Sequence, residues 1–179
     1  MIAESLPHFA FFVDPFKDDA FERSEEACAC CGKPRGWRAT CGIYSEADPD
    51  TICPWCVADG SAARKFRGHF NTLETVDGLS QEHAKAITER TPLPLTWQDF
   101  DWPCADGEPC VYLGHVRGDV LFEENDAAKI AACREAVAAF YEDEAEAQDR
   151  LAACAPGDNM GVYVFRTRAG AYRILVDFD

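Results

Sequence analysis

Apolar positions along this chain fall into blocks of different period, and each block predicts a different element. Residues 9–13, Phe-Ala-Phe-Phe-Val, form an unbroken apolar run between Pro7 and Pro15, which predicts an extended segment that needs cover, ending in a turn at Asp14-Pro15. Residues 17–26 are charged and are expected to face solvent. Trp37 to Tyr44 reads as a short strand, followed by a polar turn over 45–50. Residues 61–66 are good helix formers, although Gly60 weakens their start. The stretch 80–90 predicts a helix capped by Ser80 and stopped by Pro92, and 92–103 is too rich in proline to continue it. Cys104 and Cys110 bracket a turn, and 110–116 reads as a strand.

The last third carries the longest pattern. Ile130, Val137, Phe140, Tyr141 and Leu151 recur at helical spacing among Ala, Glu and Arg, which predicts one long helix over 126–155, ended by Pro156-Gly157. Residues 162–167 and 172–178 are strand-like runs rich in β-branched and aromatic residues around a turn at 168–170, so 161–178 is expected to be a β-hairpin. Tyr163 and Phe165 would share one face, as would Ile174, Val176 and Phe178. Together these elements predict an α+β fold in a single compact unit, 1–179. It would comprise an N-terminal extended segment (1–26), a cysteine module (27–70) and an acidic α+β body (71–179) holding the long helix and the hairpin.

The cysteines change this picture most. Cys28-Ala-Cys30-Cys31-Gly and Cys53-Pro-Trp-Cys56 place two C-x-x-C pairs 21 residues apart. Each pair closes a tight turn with both sulfurs facing one point, which is what a closed tetrahedral zinc site needs. Cys28, Cys31, Cys53 and Cys56 are therefore the expected ligands of one structural zinc ion, with Gly32 favouring Cys31 as the second ligand of its turn. Cys30 and Cys41 remain possible substitutes. With a hairpin between the pairs and helix formers after the second, the module is expected to be treble-clef-like, with a zinc-ribbon-like hairpin as the alternative. Asp59 and Ser61 suit capping of the helix that opens there. Cys133 and Cys154 are expected to pack in the core.

Other chemistry is less well supported. Cys53-Pro-Trp-Cys56 invites a thioredoxin-like reading, but that needs a long buried strand before the motif, and Asp-Pro-Asp-Thr-Ile is not one. His8, His69, His83 and His115 form no metal-binding or nuclease grouping, and His115 is the one placed in an expected strand near a cysteine.

Composition sets outer limits. The 179 residues are 47% apolar and 27% charged, the balance of a globular chain. No apolar run reaches membrane-span length. The opening Met-Ile-Ala-Glu-Ser-Leu-Pro lacks a basic region and long apolar core, so export is not expected. A reducing cytoplasm follows, where ten cysteines argue for metal or thiol chemistry before disulfides. The formal charge of −15 disfavours attraction to phosphate backbones or anionic lipid. Only 33–67 is mildly basic, with Lys33, Arg35, Arg38, Arg64, Lys65 and Arg67 against four acids, and Trp37 or Trp55 available for stacking.

The block Cys53-Pro-Trp-Cys-Val-Ala-Asp-Gly-Ser-Ala-Ala-Arg-Lys-Phe66 resembles the bacterial CbrC family, which takes its name from colicin tolerance. So do Leu6-Pro7, Asp14-Pro15, Cys28 to Lys33, Tyr44-Ser45-Glu46, Arg90-Thr91-Pro92, Trp97-Gln98 and Tyr112-Leu113-Gly114, and the resemblance covers nearly the whole chain. Longer members carry a further cysteine pair in the final hairpin turn, and the corresponding Thr167 to Gly170 holds none. The resemblance therefore implies that a second metal site using Cys104 and Cys110 is absent or degraded. No family activity transfers. The expected function is a non-enzymatic, zinc-binding bacterial protein that binds an unknown protein partner in stress or toxin tolerance. The alternatives are an enzyme or thiol-redox protein using the C-x-x-C pairs, and a weak nucleic-acid adaptor.

Overall fold

The computed structural model describes residues 5–179, so residues 1–4 of the expected N-terminal segment lie outside it. The chain divides into two compact units where the sequence is read as one. The first unit takes the chain up to Leu95 together with Phe100–Pro109, and the second takes Thr96–Asp99 with Cys110–Asp179.

In the first unit, the apolar run after Pro7 remains without regular secondary structure and buries Phe9 and Phe12. Asp14 opens the predicted turn by accepting the amides of Lys17 and Asp18. The charged stretch departs from expectation, because strand β1 (Phe21–Ala27) begins inside it. Phe21 supplies the reason: it is buried and stacks on Phe16 at 5.0 Å and on Phe9 at 5.5 Å, so one apolar anchor draws the charged residues into an edge strand. β1 pairs antiparallel with β2 (Pro34–Ala39), which is shorter than the strand read over 37–44. Tyr44 instead makes an isolated bridge to His69.

Helices α1 (Pro54–Ala58) and α2 (Ser61–Phe66) follow, then β3 (Thr72–Leu73) and α3 (Gln81–Arg90), where Ser80 accepts the His83 amide as predicted. β3 pairs in parallel with β4 (Asp101–Trp102), while β5 (Cys104–Ala105) and β6 (Glu108–Pro109) form a minimal hairpin. Its two turn residues, Asp106 and Gly107, both have positive φ (52° and 77°), the requirement of the tightest hairpin turn.

The second unit is built on a three-stranded antiparallel sheet in the order β7 (Val111–His115), β8 (Met160–Arg166), β9 (Tyr172–Phe178). The β8–β9 pair is the predicted hairpin, in continuous register from Met160↔Phe178 to Arg166↔Tyr172. β8 is buried on both faces: Val162 and Val164 join the helical core, while Phe165 packs on Tyr112 at 4.9 Å. The expected helix over 126–155 is corrected, because the region contains α5 (Ala127–Ala138) and α6 (Glu144–Ala153), preceded by the short α4 (Gly118–Leu121).

The break has a local cause. Asp143 accepts the amides of Ala145 and Glu146 through Oδ1 and so caps a new helix, while the reversal at 139–142 lets Tyr141 pack against the core and reach the Met160 sulfur at 3.8 Å. Cys133 on α5 and Cys154 at the end of α6 are both buried in that core. Residues 96–99 add to this unit from outside its main segment: the Trp97 and Gln98 amides both donate to Asp177 Oδ2, and Trp97 Nε1 donates to the Asp158 carbonyl at 2.8 Å.

Candidate metal centre

The turn between β1 and β2 is a tight knuckle. Gly32 donates its amide to the Cys28 carbonyl at 2.7 Å, and Cys28 donates to that of Lys33 at 3.0 Å, with Gly32 at φ 72° where a side chain would be strained. The segment before the second pair is laid alongside by backbone bonds from Ala29 to Thr51 and from Ala39 to Ile52, both 2.8 Å. This delivers Cys53 to the knuckle. Cys53 is the N-cap of α1 and Pro54 occupies the first turn, where its missing amide costs nothing. The second pair thus lies at a helix start.

The four expected ligands converge. The sulfurs of Cys28, Cys31, Cys53 and Cys56 all lie within 4.8 Å of one another, with Cys31 and Cys53 at 3.9 Å. Four thiolates at metal–sulfur bonds of about 2.3 Å sit about 3.8 Å apart in a tetrahedron, so the cluster fits a tetrahedral ion with small inward shifts. Cys28, Cys53 and Cys56 are buried and Cys31 is half-buried. Among the described residues this is the one group of three or more potential ligands that gathers.

Electrostatics explain why the cluster suits a cation. Hydrogen bonding from the Cys53 thiol, with the backbone amides of Cys31, Cys53 and Cys30, outweighs burial and pulls the Cys28 thiol down to about 4. Cys53 is driven strongly the other way by its bond to Cys28 and by burial. Burial is also the main force that pushes Cys56 up to about 12. One sulfur is prepared as a thiolate, and full ionisation of the set needs a divalent charge at its centre.

The remaining candidates are placed elsewhere. Cys30 meets the Ser61 hydroxyl at 3.6 Å and Cys41 faces the Pro94 carbonyl at 3.9 Å, and neither belongs to the gathered set. Asp59 Oδ1 accepts the Ser61 amide at 2.7 Å, while Gly60 takes the N-cap position of α2. Cys104 lies on β5 and Cys110 directly precedes β7, both buried. His69 stacks on Tyr44 at 5.3 Å, His83 meets the Phe11 ring edge-on at 5.9 Å, and His115 lies 4.8 Å from the Tyr163 ring.

The C-x-x-C pair at 53–56 is preceded by residues 51–52 outside any strand and opens a helix of only five residues. Three arginines of the module are engaged locally. Arg38 pairs with Glu22 and Glu26, Arg64 donates to the Asp59 carbonyl, and Arg35 lies over Trp55 at 4.9 Å. Lys65 belongs to the same basic stretch. Its ammonium donates to the carbonyls of Ala29 and Cys30, so α2 holds the first knuckle from behind. No helix among the described residues is long and apolar enough to cross a membrane.

The sequence model of an uncharacterised protein family, UPF0167, matches residues 6–178. A UPF0167 protein of Pseudomonas aeruginosa is 33% identical over 164 residues, covering 89% of each chain. UPF0167 proteins of Mycobacterium bovis and Mycobacterium tuberculosis are each 29% identical over 127 residues, covering 69% of this chain and 68% of theirs. No solved structure matches significantly.

Proposed function

We propose that this chain, which belongs to the UPF0167 family, binds one structural zinc ion through Cys28, Cys31, Cys53 and Cys56 and acts as a non-enzymatic protein rather than a catalyst. The convergence of the four sulfurs within 4.8 Å carries this reading. An all-sulfur tetrahedron selects zinc or iron, and zinc suits a site whose role is to hold a knuckle and a helix start together. The module is then treble-clef-like, since its second pair opens α1. Bound zinc would supply cross-linking charge. The chain's residues supply the thiolates, the amides that solvate them and the burial that excludes water.

Four protein ligands complete the coordination of zinc and leave no position for a substrate. The acidic surface and engaged arginines favour a protein partner over nucleic acid. The resemblance to the CbrC family, read as another name for the same family, directs that role to stress or toxin tolerance in a reducing cytoplasm. Metal analysis of protein purified without chelator tests the core of this reading. One zinc per chain, lost in Cys53→Ser, is the expected result; iron in its place, or a folded chain without metal, overturns it.

A further inference from the structure

The second unit holds a cavity of about 420 Å³, within the range of small-molecule sites. It lies where α6 ends and where β8 and β9 pair: Cys154 follows α6, and Met160 at the start of β8 is the cross-strand partner of Phe178 at the end of β9. Tyr141, Cys154, Met160 and Phe178 form its apolar wall, and Arg150 of α6 is the one cation that lines it. Phe140 meets Phe178 edge-on at 5.2 Å and is 57% exposed, which extends the aromatic surface beyond the cavity.

Two hydrogen-bond donors at this cavity have only weak partners. Arg150 Nη2 stands 3.8 Å from Glu146 with both side chains more than half exposed, a pairing that water screens and that contributes little. The Tyr141 hydroxyl donates to the Met160 thioether at 3.8 Å, and a thioether is a poor acceptor. The other polar groups are better used: Asp158, the one acid lining the cavity, accepts the Ala155 amide at 2.9 Å, and the Cys154 thiol donates to the carbonyls of Val116 and Met160. A ligand that answers this set has an apolar body and an anionic acceptor at one end. A single cation beside the acids Glu142, Asp143, Glu144 and Glu146 balances one negative charge and not the two of a phosphate. We propose that the cavity binds a free, small apolar carboxylic acid, with its carboxylate on Arg150 and the Tyr141 hydroxyl and its body against Met160 and Phe178. The planar guanidinium fork matches a carboxylate. This is a binding site of the second unit, and it stands apart from the metal reading.

The chain has two methionines, Met1 and Met160, so methyl labelling with carbon-13 methionine puts one NMR reporter in the cavity wall and leaves a second for comparison. The full-length protein is titrated with 4-phenylbutyrate, with its neutral amide, and with the tripeptide Ala-Ala-Phe carrying a free C-terminus. The acid is expected to shift the Met160 methyl saturably and to leave Met1 in place, and the amide to bind at least about tenfold more weakly. Arg150→Gln should weaken the acid about tenfold and Tyr141→Phe about fivefold, while Arg150→Lys, which keeps the charge and loses the fork, falls between Arg150→Gln and wild type. Arg150 is exposed, so its variants are expected to keep the wild-type methyl spectrum before ligand is added. No saturable shift at Met160 overturns the proposal. Equal affinity for acid and amide, or wild-type affinity in Arg150→Gln, overturns the carboxylate site in favour of a plain apolar cavity. Binding of the tripeptide without binding of the acid overturns it in favour of a site for chain termini.

Discussion

Lys65 on α2 donates to the Cys30 carbonyl at 2.8 Å, and the same ammonium reaches the Ala29 carbonyl at 2.7 Å. The helix that follows the second cysteine pair therefore grips the turn that carries the first. Those carbonyls lie in the turn between β1 and β2, outside the strand pairing, and a long flexible side chain is what reaches them.

Replacing Lys65 with Met keeps the aliphatic stem and removes both bonds. Solvent-accessible hydrogen bonds from an ammonium to carbonyls are worth about 1 kcal/mol here, or about fivefold in an equilibrium constant. Zinc transfer from Lys65→Met to a competing chelator should be faster by about that factor, with Lys65→Arg intermediate. Transfer at the wild-type rate would show that the knuckle needs no support from α2.

Asp143 should be a helix start rather than a passive member of an acidic run. Asp143→Ala is expected to cost about 1 kcal/mol and to lower the thermal midpoint by several degrees, while Asp143→Asn, which keeps the acceptor, should stay close to wild type. Equal midpoints for all three proteins would show that the turn at 139–142 is set by packing of Tyr141 alone.

His115 gives the second unit a pH dependence. Burial lowers its imidazole below the ordinary value of 6.5, and Asp177 and Asp158 oppose that only in part. The folded state then binds fewer protons than the unfolded chain as pH falls, so this contribution to stability is fully present above 6.5 and is lost progressively below it. Thermal midpoints between pH 8 and pH 5.5 should fall more for wild type than for His115→Gln. Parallel curves for the two proteins would remove His115 as the source.

The legibility of the chain follows from how local each signal is. The four cysteines that gather could be picked out from spacing because a C-x-x-C turn is determined by its own few residues, and the final hairpin because two runs rich in β-branched and aromatic residues flank a short turn. What Cys30 would contact instead could not be read, since its partner, Ser61, lies 31 positions on. The split between α5 and α6 did leave a signal: Asp143 with Glu146 three residues later is a capping pattern, obscured by an alanine- and glutamate-rich stretch that satisfies helical composition throughout. The pairing of β3 with β4 involves two residues on each side, too few for any periodicity.

The short excursion at residues 96–99 bears on how this protein can be inherited. The chain enters the second unit at Thr96, returns to the first at Phe100 and leaves it again at Cys110, and Asp177 holds the excursion by two backbone amides. No single cut yields both units whole. A recombination event or truncated gene that preserved the half with the cysteine cluster would strip the other of Trp97 and Gln98, so the two halves are expected to travel through genomes as one indivisible piece.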